Sequence, residues 1–329
     1  MTQLSDDRRI LVLSHHHELL PFANRLRSEG YHPEVAVWRE RYSAAWEGLG
    51  LRRRLLDYSE QTVETTVPTV LSGNHTVQFS STAKVYGTLV PETVPADAIR
   101  FGGWFDGEQV HLKHLLVVDR GAWVGGAGPQ VDACATLVWL DPTALVGFLD
   151  SSYTEITQYL KDQAFKGLFQ FDMKEEPDGF KRHGLRAGWP PLHTHAFLAE
   201  LQGFGELLQG GIPTPPSVLY VTALAITVPP WPNPGKSPRQ PITGLTQTQL
   251  GQFFWHDVRQ ADSGLGLETA GLDGLVGVAI GSSTLTPELA RLKAQELAFR
   301  IQLTGKQYRT DGGLSVPGVL ATLEARFGS

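Results

Sequence analysis

The chain has 329 residues, of which 41% are hydrophobic and 19% charged, as is typical of a folded soluble protein with two or three subdomains. Its formal net charge of −6 argues against a nucleic-acid-binding protein, because such proteins are usually basic. The single cysteine, Cys134, excludes an intramolecular disulfide and suits the reducing cytoplasm, and the most apolar stretch, 218–228, is too short to span a membrane.

A strand, a polar loop and a helix open the chain. Residues 10–13 are an apolar run typical of a strand, and apolar side chains then recur at helical spacing up to Gly30. A second strand at 34–38 completes a β-α-β unit, which predicts a parallel sheet, and residues 41–56 are typical of a helix. The loop lies where open α/β sheets bind ligands, so its residues could hold an anion or a metal; a polar start to the helix explains them equally well. These candidates are Ser14, His15, His16, His17 and Glu18.

The rest of the chain alternates strands, turns and helices. Strands are predicted at 62–67, 76–79, 99–105, 109–118, 167–174, 179–183, 217–228, 253–258 and 275–280, and helices at 142–160, 195–209 and 286–303. Thr286 is predicted to cap the last helix. Its predicted apolar stripe consists of Leu289, Leu292, Leu297 and Ile301.

Two further groups of residues are candidates for binding. In the glycine-rich segment 121–128, Gly125, Gly126 and Gly128 could cradle a phosphate, and a plain turn between strands is an equal alternative. His193 and His195 are two residues apart, which places both on one face if the segment is extended. Together with His183 or Asp172 they could form a metal site, but we favour local hydrogen bonding.

Several motifs, in order, resemble those of the phosphoribosylamine–glycine ligase family, which are ATP-grasp enzymes of purine synthesis. The segment 105–107 followed by 119–128 is similar to the family's F-x-D-G and D-x-G-P-N-T-G-G-M-G, and 165–169 to its Y-x-G-V-L-Y strand. The end of the chain resembles the family most closely. Five segments there match family motifs in order and spacing. They are Ile242–Leu245 (I-x-G-L), Phe254–His256 (V-F-H-A), Thr269–Gly271 (T-x-G-G), Val276–Val278 (L-G-V) and Gly305–Asp311 (G-M-x-Y-R-x-D).

The resemblance implies an α/β (α+β) fold of the ATP-grasp type, with a Rossmann-like N-terminal piece and a small mixed C-terminal subdomain. We expect the N-terminal piece at 1–60, a reduced ATP-grasp-like domain at 61–212 and the C-terminal subdomain at 213–329. The family joins a carboxylate to an amine through an acyl phosphate, so ATP and magnesium are the cofactors that the resemblance implies.

The sequence departs from the family where magnesium should bind. Arg186 matches the family's arginine, but the two ligand positions before it hold Arg182 and Gly184, and no carboxylate lies between Asp178 and Glu200. A cationic side chain opposes magnesium binding, so the expected cofactors are doubtful here and the sequence leaves open whether the chain is an enzyme.

The departures favour a divergent ligase-like protein that binds a nucleotide or phosphosugar-type ligand without the standard chemistry. Arg186 joins the ligand-binding candidates. The alternative is an inactive scaffold that binds a protein partner. We expect a cytoplasmic protein that binds a small phosphate-bearing ligand and neither nucleic acid nor a membrane. A protein partner or a homo-oligomer is compatible with the sequence.

Overall fold

The computed structural model describes residues 8–14, 19–37, 44–55, 69–71, 85–86, 99–140, 143–176, 179–188, 191–214 and 216–327. The first part forms a parallel sheet of five strands in the order β3-β2-β1-β4-β5. These strands and their helix are β1 (Arg9–Ser14), α1 (Leu20–Ser28), β2 (His32–Val37), β3 (Arg52–Leu55), β4 (Thr69–Leu71) and β5 (Val85–Tyr86). The predicted β-α-β opening is confirmed, whereas the strands predicted at 62–67 and 76–79 lie outside the described residues.

The helix predicted over 41–56 is wrong. Residues 44–50 form turns, and the chain then enters β3. Gly48 and Gly50 both have a φ of 76°, and Trp46 has a φ of 62°, which is the left-handed region that a right-handed helix cannot contain. The segment is therefore a turn that returns the chain to the edge of the parallel sheet.

From residue 99 onwards the structure is built on antiparallel strands. They are β6 (Ile99–Phe105), β7 (Val110–Gly121), β8 (Gln130–Trp139), β9 (Gly167–Glu176), β10 (Gly179–Ala187), β11 (Tyr220–Thr227), β12 (Pro241–Ile242), β13 (Phe253–Trp255), β14 (Val258–Gln260), β15 (Leu267–Thr269) and β16 (Leu275–Ser283). The helices are α2 (Thr143–Asp162), α3 (Pro191–Glu200), α4 (Phe204–Leu208), α5 (Gln247–Leu250), α6 (Pro287–Arg300) and α7 (Val316–Phe327).

Eight of these strands make one sheet, in the order β10-β9-β6-β7-β8-β11-β16-β13, and β12, β15 and β14 make a small three-stranded sheet. The large sheet runs across residue 212, and the parallel sheet continues past residue 60, so neither sheet ends at a predicted domain boundary. The three-domain division stays a prediction.

Helices cover both faces of the large sheet. On one face, α2 and α7 bury side chains such as Tyr153 and Leu320 against Phe101 and Leu115. On the other face, α3 packs on β8 and β11, and Phe204 of α4 contacts both Trp104 of the large sheet and Phe22 of α1. The parallel and antiparallel parts therefore share one apolar core through α1, α3 and α4.

Helix α6 begins where it was predicted to begin, because the Thr286 hydroxyl accepts a hydrogen bond from the Leu289 N–H at 3.2 Å. The predicted apolar stripe is only partly confirmed. Leu297 and Ile301 are buried, but Leu292 is 52% exposed, and Ala290, Ala294 and Ala298 supply the rest of the buried face. A Cβ on Gly281 would lie 2.2 Å from the Ala290 carbonyl oxygen, so small residues on α6 and β16 allow the two backbones to approach closely.

Candidate functional site

Polar residues lie side by side across four strands of the large sheet. Arg186 of β10 pairs with Gln170 of β9, Gln170 with Gly102 of β6, and Gly102 with His114 of β7. Residues directly opposite each other on antiparallel strands project to the same face, which here is the face that carries α3. We call Arg186, Gln170, Gly102 and His114 the polar row.

The buried end of the polar row is a pair of histidines. His114 Nε2 lies 2.7 Å from Nε2 of His193, which α3 places over the sheet, and both side chains are at most 3% exposed. His114 Nδ1 lies 2.8 Å from the Leu112 carbonyl oxygen, which accepts only, so His114 carries its proton on Nδ1. His193 Nε2 must then donate to His114, and His193 Nδ1 is left as an acceptor with no hydrogen-bond partner among the described residues.

Both members of this pair are neutral at pH 7. Burial lowers the pKa of His114 to about 4. Burial, followed by repulsion from His114 when that ring is protonated and from Arg100, holds the pKa of His193 well below its usual value. Gly102 makes the arrangement possible, because a Cβ at that position would lie 2.7 Å from His114 Nε2 and 2.5 Å from the Phe169 carbonyl oxygen.

Gln170 occupies the middle of the polar row and is 1% exposed. Neither its amide nitrogen nor its amide oxygen has a hydrogen-bond partner in the part of the chain that is described. Buried amides are normally satisfied by protein, water or ligand. Beside it, Arg186 is only partly buried, so the row leads from solvent at the edge strand β10 towards the buried histidines.

An ion pair flanks the polar row. Arg100 and Asp172 are paired in register on β6 and β9, with Arg100 Nε 2.8 Å from Asp172 Oδ1, and the side chains are 2% and 3% exposed. Asp172 is thereby held by a guanidinium. Magnesium in proteins is usually held by one or two carboxylates together with water and substrate phosphates, and the carboxylate of Asp172 faces a guanidinium, so the described side chains of this site do not fit a magnesium ion.

A second histidine pair lies beside α3. His195 Nε2 is 2.7 Å from Nε2 of His256, which follows β13, and the His195 ring stacks on Phe254 with centroids 4.6 Å apart. Burial lowers the pKa of His195 to about 3. Two nitrogens that bind one zinc ion at about 2.0–2.1 Å in a tetrahedral site lie about 3.3 Å apart, so a spacing of 2.7 Å indicates a hydrogen bond.

The extended segment expected around His193 and His195 is wrong, since both lie on α3 and contact different partners. The single helix expected over 195–209 is also wrong: it is interrupted before α4 by Gly203, whose φ is 70°. His183 is paired with Asp172 on the strand ladder, but its side chain is not described. Among the described residues, no group of three or more His, Cys, Asp or Glu side chains could hold a metal ion.

The glycine-rich segment is joined to the motif near the end of the chain. The Gly125 N–H donates to Asp311 Oδ2 at 2.7 Å, and the Arg309 guanidinium donates to both Asp311 oxygens at 2.7 and 2.9 Å and to the Gly121 carbonyl oxygen. Gly125 and Gly126 each have a φ of 73°, which lies in the left-handed region that favours glycine. The Gly125 amide is used by the chain's own carboxylate, and phosphate binding by Gly125, Gly126 and Gly128 stays a prediction.

The loop after β1 is described only at its first residue. Ser14 is fully buried, and its hydroxyl accepts a hydrogen bond from the Leu19 N–H at 3.3 Å, which shapes the entry to α1. The remaining candidates there, His15, His16, His17 and Glu18, lie outside the described residues. Among the helices described, none is long and apolar enough to cross a membrane.

Sequence reasoning identified Arg186 and His193 but missed their neighbours in space. Gln170 carried a weak signal, because it interrupts the apolar residues Leu168, Phe169 and Phe171 of a predicted strand. His114 carried none, because only the register of four strands places it beside Gln170 and Gly102.

Two examples illustrate the solved structures to which this chain is similar. The phosphoribosylamine–glycine ligase from Thermotoga maritima has a TM-score of 0.64 at 14% identity, with 92% of this chain and 99% of that chain covered. A pyruvate carboxylase from Rhizobium etli has a TM-score of 0.53 at 10% identity, with 96% of this chain and 39% of that chain covered. No protein-family model and no curated protein matches the chain. The predicted ATP-grasp-like fold class is confirmed, and at these identities the likeness concerns the fold alone.

Proposed function

We propose that this chain is a divergent protein of the phosphoribosylamine–glycine ligase type that binds a nucleotide or phosphosugar-type ligand without the standard magnesium-dependent ligase chemistry. The ligase-like fold supports the general class. The single observation that carries the proposal is the polar row, where Arg186 and Gln170 stand side by side. The acidic residue beside the row on β9, Asp172, is paired with Arg100.

Guanidinium groups suit a phosphate ligand. An arginine presents several N–H donors in a plane, and these match the oxygens of a phosphate without any metal. Arg186 is the partly exposed end of the row, so it is the group that an entering ligand reaches first. Gln170, with an amide that can both donate and accept, would contact the polar part of the ligand next to the phosphate.

A thermal-shift screen with ATP, AMP, ribose 5-phosphate and inorganic phosphate, each in EDTA and in magnesium, tests this proposal. At least one phosphate-bearing ligand should raise the melting temperature equally in both conditions. For ribose 5-phosphate and inorganic phosphate, which carry no aromatic ring, Arg186→Ala should abolish the shift and Arg186→Lys should weaken it, whereas Arg120→Ala should leave it unchanged. Arg120 is the matched control, because it is a partly buried strand arginine outside the polar row, and its Nε donates to the Val131 carbonyl oxygen at 3.0 Å.

Turnover separates this proposal from an active ligase. Wild-type protein with ATP, magnesium, glycine and phosphoribosylamine should form no more ADP than Arg186→Ala does. Magnesium-dependent ADP formation that Arg186→Ala removes would contradict the proposal. We expect the protein to be cytoplasmic. Under this proposal its fold resembles that of a ligase of purine synthesis, but it lacks the ligase activity.

A partner-binding scaffold is the second candidate, and the outer face of α6 favours it. Leu292 and Phe299 are seven residues apart on this helix, and they are 52% and 75% exposed. Light scattering across a range of protein concentrations tests self-association through this face. A dimer that Leu292→Lys and Phe299→Lys together convert to a monomer, in the absence of any ligand effect, would favour the scaffold.

A further inference from the structure

A cleft of about 370 Å³ lies beside the glycine turn, separate from the polar row. Three aromatic residues from distant parts of the sequence line it: Trp123, Trp231 and Tyr308. The rest of its wall includes Cys134, Lys306 and Arg309. A volume near the lower end of the range for small-molecule pockets suits one or two rings.

Trp123 is the unusual member of this wall, because 56% of a large apolar side chain is exposed. The chain holds it in place. The backbone N–H of Trp123 donates to the Ala127 carbonyl oxygen at 2.9 Å, and this hydrogen bond closes the turn. Gly128, with a φ of 81°, packs under the indole so closely that a Cβ would lie 2.7 Å from two ring carbons. The indole is thus supported by backbone and presents its remaining surface to solvent.

The positive charges beside the cleft are already used within the chain. Lys306 Nζ donates to the carbonyl oxygens of Ala298, Phe299 and Ile301, at 2.9, 3.0 and 2.7 Å, and so satisfies the end of α6. The Arg309 guanidinium is bound to Asp311, as described above. These cations contribute little to holding a phosphate in the cleft, whereas Lys306 Nζ, 5.4 Å from the Tyr308 ring centroid, adds a cation–π contact to an aromatic wall.

We propose that this cleft binds the planar ring of a small nucleobase-like molecule, which stacks on Trp123. Rings of this class have a π face that stacks on tryptophan whatever their substituents, and their polar edge suits the hydroxyl and backbone groups of the remaining wall. The net charge of −6 makes a free nucleoside a better occupant than a nucleic acid strand. The proposal does not depend on phosphate binding at the polar row, because the two sites use different residues.

Calorimetric titration with adenosine and cytidine, which carry a ring without phosphate, tests the proposal on the full chain. Wild-type protein should bind at least one of them, Trp123→Ala should weaken binding on the order of tenfold, and Trp123→Phe should retain most of it. Tyr159→Ala is the matched control and should bind as wild type does, because Tyr159 is a 48% exposed aromatic residue on α2, across the sheet.

Ribose 5-phosphate serves as the opposite probe, since it has a phosphate and no aromatic ring. Its binding should respond to Arg186→Ala and not to Trp123→Ala, so failure at one site is distinguishable from failure at the other. The inference is wrong if neither nucleoside binds at millimolar concentration, or if Trp123→Ala binds as tightly as wild type with an unchanged circular dichroism spectrum. Salt-dependent binding of a ten-nucleotide oligothymidylate that is tighter than the binding of either nucleoside would also overturn the inference, in favour of a nucleic acid ligand.

Discussion

Acidification should destabilise this protein strongly between pH 6.5 and 4.5, because its buried histidines are held neutral. The pKa of His114 is about 4 and that of His195 about 3 in the folded state, against about 6.5 in the unfolded chain. Between these values the unfolded chain binds protons that the folded protein does not. Stability is therefore unaffected by these groups above pH 6.5 and falls as the pH drops below it.

The size of the effect follows from the linkage relation. Each such histidine lowers the free energy of unfolding by at most about 1.4 kcal/mol per pH unit in this window, or by about 2 kcal/mol between pH 6.5 and 4.5, because the unfolded histidine is only half protonated at pH 6.5. His114 and His195 together would remove about 4 kcal/mol, a large share of the stability of about 5–15 kcal/mol that a typical domain has. His193 acts in the same direction. The carboxyl of Asp311 titrates below the window, because its hydrogen bonds from Arg309 lower its pKa.

Urea unfolding at pH 7.5, 6.5, 5.5 and 4.5 measures this dependence, and the slope of the unfolding free energy against pH reports the protons taken up. His195→Gln should reduce that slope by about one proton, even if it also lowers the stability at pH 7.5. His32→Gln, which changes an exposed histidine on β2, is the matched control. Equal stability at pH 6.5 and 4.5, or an unchanged slope in His195→Gln, would refute the reasoning.

Two further predictions concern packing and the glycine turn. Gly102→Ala should lower the free energy of unfolding, measured in the same urea assay, by about 1–3 kcal/mol, since the new methyl group meets Phe169 and His114. Gly318→Ala on α7 is the control and should be neutral or slightly stabilising, because a Cβ there would meet nothing within 4 Å. Arg309→Lys should cost about 1–3 kcal/mol and speed proteolysis within 121–128, because lysine cannot make the two-pronged contact to Asp311; cleavage at the wild-type rate would show that this contact does not hold the turn.

Local patterns in the sequence were sufficient for much of the fold. The β-α-β opening, the hairpin of β9 and β10 and the cap of α6 at Thr286 each depend on residues close together in the chain, and each is confirmed. The errors arose where one residue changes the backbone. Gly48 and Gly50 end a helical pattern, and Pro191 begins a helix that carries His193 and His195, because proline is tolerated in a first turn.

The site was less predictable than the fold. The motif carrying Arg186 pointed to the right strand, yet its partners come from β9, β6 and β7, and no spacing in the sequence encodes their register. The same holds for the contact of Gly125 with Asp311, which joins residues 186 positions apart. The order of the glycine-rich segment and the Gly305–Asp311 segment suggested a common ancestry with the ligase family, whereas the hydrogen bonds between the two segments appear only in the folded chain.

The most direct test of the proposed function is calorimetric titration of ribose 5-phosphate, which carries a phosphate and no aromatic ring, in EDTA and again in magnesium. Arg186 and Gln170 at the edge of the sheet, with Asp172 held by Arg100, predict the same dissociation constant in both conditions and loss of binding in Arg186→Ala. Binding that requires magnesium, or that survives in Arg186→Ala, would contradict the account.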